Sequence, residues 1–141
     1  MSLPSINDII ENLGFLEDWE DRYRYIIELG RMLDPMPEEF KTENNKVRGC
    51  ASQVWLHTDK SQISPPVLIF LGDSDAHIVR GLVALALALY SGKTPSDIIA
   101  TDAFALFSSL GFKEHLSAQR SNGFRSLIDK IQAEATLALA H

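Results

Sequence analysis

An α+β fold built on a small antiparallel sheet is predicted by the way hydrophobic periodicity changes along these 141 residues. Two helical patterns open the chain, a short alternating region follows, and a helical period returns from Asp73 onward. This order implies about three strands flanked by N-terminal helices and a C-terminal helical group, in a single domain over residues 1–141.

Ser5 opens the first helix as a cap, with Asp8 in its first turn and Ile6, Ile9, Ile10 and Leu13 as an apolar stripe. Gly14 ends or kinks it. Asp18 is placed to cap a second helix, in which Trp19, Tyr23, Ile26, Ile27, Gly30 and Leu33 recur at helical spacing. Asp34-Pro35-Met36-Pro37 stops that helix, because proline has no amide donor and restricts the residue before it. Residues 38–46 then read as an exposed loop.

Strands are expected around Val47, from Gln53 to Asp59 and from Val67 to Gly72. In the second, Val54, Leu56 and Thr58 share one face, while Trp55 and His57 share the other. The pair Pro65-Pro66 marks irregular or edge backbone. Val67 to Leu71 is apolar on both faces, as in a strand covered on two sides.

Ser74 or Asp75 is placed to cap a helix from about Ala76 to Tyr90, closed by Gly92 in a left-handed conformation. Its second half, Leu82 to Leu89, is apolar all round and predicts a central buried helix. Thr94-Pro95 starts a short helix. Asp102 caps another that runs to Leu110, and Gly111 ends it. A link containing Lys113, Glu114 and His115 leads to a last helix from near Ser117, which buries Phe124, Leu127, Ile128, Ile131 and Ala135.

Composition narrows the function. A net charge of −6 and a pI near 5.1 oppose a nucleic-acid surface, which needs clustered Lys and Arg. The apolar run Leu82 to Tyr90 is far shorter than the roughly 18 residues that span a bilayer, so no membrane insertion is expected. No basic segment followed by an apolar core opens the chain, so no signal peptide is visible. One cysteine allows no intramolecular disulfide, and an unpaired thiol survives best in a reducing compartment. A cytoplasmic location is the expectation these features give.

That cysteine, Cys50, stands in Val47-Arg48-Gly49-Cys50-Ala51-Ser52-Gln53, among small residues at a bend. A structural cysteine usually lies within an apolar run, whereas Gly49 permits unusual backbone angles or a close approach. The thiol therefore reads as placed to be reached. Its reactivity depends on forming thiolate, and only Arg48 is a basic neighbour in sequence. His57, His77, His115 and His141 are the histidines that could pair with it in space. Asp73, Ser74 and Asp75 read as a helix cap and not as a metal loop, since no second carboxylate cluster at ligand spacing accompanies them. Glycine-rich phosphate cradles are missing. Arg120-Ser121-Asn122-Gly123-Phe124-Arg125 is unusual, because glycine early in a helix costs roughly 1 kcal/mol against alanine. Gly123 marks close packing or contact with a partner, and the two arginines suit either an acidic partner surface or a solvated helix face.

Several ordered segments resemble the SufE family, sulfur acceptors of iron–sulfur cluster assembly that include the close relative CsdE. Trp19 to Gly30 is similar to its second-helix signature, and Asn45 to Cys50 followed by Ser52 to Trp55 to its cysteine loop. Gly72 to Leu82 resembles the sheet-to-helix junction. His115-Leu116-Ser117 with Arg120 to Gly123 resembles the opening of the last helix. Ala51 and Ala118 depart from the larger polar residue and the proline frequent at those positions, which bears on fine specificity.

The resemblance implies a SufE/IscU-like fold with the cysteine loop at one end of a three-stranded sheet. It implies that Cys50 takes sulfur from the persulfide of a cysteine desulfurase of SufS or CsdA type, stimulates that enzyme, and passes the sulfur to an iron–sulfur scaffold. No cofactor is expected on this chain, since pyridoxal phosphate belongs to the desulfurase. Gly49 would hinge a loop that shelters the thiol when free and swings outward when docked. Gly49, Asp75 and Arg120 would bind the partner or support the loop, most economically with Asp75 as a helix cap and Arg120 as an electrostatic contact to the desulfurase. A thiol-based redox or peroxide sensor, or a non-catalytic assembly module with an incidental cysteine, are the competing readings.

Overall fold

Capping and close glycine contacts shape most of the elements. The computed structural model describes residues 3–50, 52–63 and 66–140; Ala51, Pro65 and His141 lie outside these residues. Helix α1 (Ile6–Gly14) starts where the Ser5 hydroxyl accepts the Asp8 amide, and it buries Ile9 and Leu13 while Ile10 stays exposed. Helix α2 (Trp19–Arg31) follows Asp18, whose side chain makes no capping bond. The loop to the sheet contains one short 3₁₀ turn, Glu38–Phe40.

Among the described residues the sheet has two strands, not the expected three. Strand β1 (Val54–Asp59) pairs antiparallel with β2 (Ile69–Ser74), with Leu56 opposite Gly72. The strand expected around Val47 is reduced to one bridge, Lys46 with Trp55, carried by Val47 N to Val54 O and Leu56 N to Asn45 O, both 2.8 Å. The turn at Gly49 takes the chain away before the ladder can lengthen. Val54 and Leu56 face the core as the alternation predicts. The double coverage expected of β2 is incomplete: Phe70 is buried on the face that packs on α3, whereas Ile69, on the other face, is 40% exposed.

Helix α3 (His77–Tyr90) is the buried centre, flanked by α2, β2 and α7. Gly30 and Gly81 let α2 and α3 cross closely. A Cβ at Gly81 would lie 2.2 Å from the Ile26 carbonyl oxygen. Asp73, buried at the end of β2, pairs with Arg80 at 3.1 Å and Lys41 at 3.3 Å. Arg80 also donates to the Gly30 carbonyl at 2.8 Å, locking the end of α2 to the sheet.

Helix α4 (Pro95–Ala100) begins at the Thr94 cap and α5 (Ala103–Ser109) at the Asp102 cap. The expected link after Gly111 forms an additional turn, α6 (Phe112–His115), and α7 (Ala118–Ala140) buries the five residues its periodicity names. Among the described residues no helix is long and apolar enough to cross a membrane.

Candidate functional site

The loop carrying Cys50 is pinned on both sides. Upstream, the Lys46–Trp55 bridge holds it to β1. Downstream, Asp75 Oδ1 accepts the Gln53 amide at 3.0 Å, while the Asp75 amide donates to the Gln53 carbonyl at 3.2 Å. This corrects the helix cap expected of Asp75. The residue at the N-terminus of α3 is Ala76, with no side-chain cap; Ser74 Oγ accepts the Ala76 amide at 3.2 Å. Asp75 is a clamp on the cysteine loop.

Between the anchors the chain turns at Gly49, with φ +87°. That left-handed angle is open to glycine and costly for other residues. The turn lays Cys50 on α7, where its thiol donates to the Gly123 carbonyl at 3.6 Å. Gly123 is where the last helix packs closely against Cys50, with room for one added carbon and no more. An added Cβ there would touch Cys50 Sγ at 3.4 Å.

Cys50 is half-buried and opens onto a cavity of about 170 Å³. Its apolar wall comes from Val79, Leu82 and Val83 of α3 and from Phe124 and Leu127 of α7. Burial pushes the Cys50 thiol above the ordinary range, because the low-dielectric wall disfavours thiolate. Arg120 is the charged side chain of the lining. It lies exposed at the rim, donating to the Tyr23 hydroxyl at 2.5 Å, with its guanidinium 6.0 Å from the Tyr23 ring centre. Arg48 is turned to Glu43 at 3.0 Å and leaves the thiol without its nearest basic neighbour.

Cys50, Gly49 and Arg120 thus come together at one end of α7, and Asp75 acts on the same loop from its far side. The described histidines do not join them. His57 stacks on Phe40 with ring centres 3.9 Å apart, and His115 on Trp19 at 4.0 Å. His77 is exposed in the first turn of α3, and none of the three lines the cavity. Ser126, against Gly49, escaped the sequence reading because a serine inside a helix carries no local signal.

Comparison with known proteins accords with this arrangement. The family profile described as SufE, Fe-S metabolism associated domain, matches residues 7–135. The chain belongs to the SufE family. An uncharacterised SufE-like protein of Rhizobium etli is 56% identical over 139 residues, covering 98% of this chain and 94% of that protein. A second, from Rhizobium meliloti, is 54% identical over 134 residues, covering 94% and 96%. The solution structure of a hypothetical protein from Thermus thermophilus matches over 100% of both chains with a TM-score of 0.77 and 19% identity, which shows a shared fold. Membership associates this SufE-family chain with iron–sulfur metabolism.

Proposed function

We propose that the protein is a cytoplasmic sulfur acceptor and carrier that takes persulfide sulfur from a cysteine desulfurase onto Cys50, stimulates that enzyme, and delivers the sulfur to an iron–sulfur scaffold. The observation that carries this reading is the thiol on a glycine turn at the mouth of an apolar cavity, in a chain of the SufE family. The reaction needs one mobile nucleophile and room for its product. Cys50, as thiolate, attacks the terminal sulfur of the partner's persulfide. A new sulfur–sulfur bond forms on Cys50 and the partner's breaks. The bonding pair leaves with the partner's thiolate, and the proton lost by Cys50 balances the charge. The pyridoxal phosphate that generates the first persulfide is the partner's.

The cavity suits the product. Its volume of about 170 Å³ far exceeds the ~10–15 Å³ that admits one water-sized body, so the added sulfur fits beside the apolar side chains of α3 and α7. Arg120 at the rim suits an acidic group on the desulfurase. A peroxide-sensing role is disfavoured, because such cysteines have lowered pKa values and this one is raised. The test is alanine release by a cysteine desulfurase supplied with L-cysteine. Wild type should stimulate release and Cys50→Ser should not; equal stimulation by the two refutes the acceptor role.

A further inference from the structure

Helix α7 carries two small residues one turn apart, Gly123 and Ser126, against the cysteine loop. A carbon added at Gly123 would have Sγ, Cβ and Cα of Cys50 as its three nearest neighbours, at 3.4, 3.8 and 4.0 Å. A carbon added at Gly49 would lie 2.7 Å from Ser126 Oγ. The two loop residues therefore rest in a notch, at the bottom of which the Gly123 carbonyl accepts the thiol. Sulfur transfer makes no use of that bond. A carbonyl oxygen has only lone pairs to offer, so it pairs with the protonated sulfur and repels the thiolate.

We infer that Gly123 and Ser126 are positioning residues for Cys50: their small side chains form a seat that holds the thiol withdrawn and protonated, and the depth of the seat sets how often Cys50 becomes an open nucleophile. The biological sense of the seat rests on Cys50 being the sulfur acceptor. The charges around it do not supply an alternative cause. Arg120 on α7 is engaged with Tyr23, Arg48 on the loop with Glu43, and α3 offers only Val79, Leu82 and Val83.

The seat has a size limit. Alanine at 123 would touch Sγ at 3.4 Å, an ordinary contact, and leave the loop docked. Valine fills two of the three staggered positions about Cβ and has no way to turn both methyls aside. Leucine at 126 puts a branched carbon chain where Oγ stands, 2.7 Å from the position a carbon added at Gly49 would take.

The experiment is alkylation of the folded full-length protein by iodoacetamide from neutral pH upward, with circular dichroism to follow the fold. Gly123→Val and Ser126→Leu should each raise the neutral-pH rate about tenfold and move the pH profile down toward that of an exposed thiol. Gly123→Ala should stay within about twofold of wild type. Ser126 is only half-buried, so Ser126→Leu carries the test if Gly123→Val weakens the helix. Wild-type rates and profiles in the folded valine and leucine variants overturn the seat, whatever a desulfurase assay returns. So does opening by Gly123→Ala as large as that by valine. Loss of the acceptor role alone would show in the desulfurase assay, with the alkylation pattern intact.

Discussion

Replacing Gly49 with alanine sets two penalties against the docked loop. The residue holds φ at +87°, where a side chain costs about 1–2 kcal/mol. The new methyl also meets Ser126 Oγ at 2.7 Å, well inside the 3.4 Å at which ordinary contact begins. Overpacking of this kind adds about 1 kcal/mol, at the low end because a hydroxyl on a half-buried side chain can rotate. Gly49 is exposed, so the loop is free to leave, and the cost emerges as opening instead of global unfolding. A shift of about 2–3 kcal/mol raises the open fraction, and with it the alkylation rate of Cys50, about 30- to 150-fold. The double variant Gly49→Ala, Ser126→Ala removes the hydroxyl and leaves the methyl 3.6 Å from the remaining Cβ. Only the backbone penalty survives there, so the increase should drop to about 5- to 30-fold. Pseudo-first-order alkylation at neutral pH measures both. Wild-type reactivity in Gly49→Ala, or a double variant as reactive as the single, would refute the reasoning.

Three further outcomes are expected. Arg120→Ala should raise the protein concentration that half-saturates a desulfurase by up to about fivefold, the worth of one exposed ion pair, while the maximal stimulated rate holds; unchanged half-saturation would remove Arg120 from the interface. The fold favours the protonated Cys50 thiol, so its contribution to stability is complete below the ordinary thiol range and is lost as pH rises from there through the raised folded value. Wild type should therefore lose stability relative to Cys50→Ser over that alkaline window, and parallel urea-melt curves would contradict it. Gly81→Ala drives a methyl to 2.2 Å from the Ile26 carbonyl oxygen; an overpacking cost of about 2–3 kcal/mol less about 1 kcal/mol of helix propensity should lower Tm by about 3–8 °C. An unchanged Tm would mean that α2 and α3 separate freely.

Local chemistry was legible where the cause is local. The Ser5, Thr94 and Asp102 caps, the Pro95 start and the buried stripe of α7 all act within one turn of where they are written. The Gly-Cys bend and the oddity of Gly123 stood out individually. Their meeting did not, because it joins residues 73 positions apart. Asp75 reads as a cap from its neighbours but bonds Gln53, 22 positions back. The third strand failed for a geometric reason: the positive φ at Gly49 turns the chain off the sheet after a single bridge. The cavity wall was invisible as such, since Val79, Leu82, Phe124 and Leu127 carry the same apolar periodicity whether they fill a core or line a hollow.

The most direct measurement is the intact mass of the protein after incubation with a cysteine desulfurase and L-cysteine. The account predicts a gain of the mass of one or more sulfur atoms, lost on reduction and absent from Cys50→Ser. A folded wild-type protein that gains no mass, or a Cys50→Ser variant that gains the same mass, would contradict it.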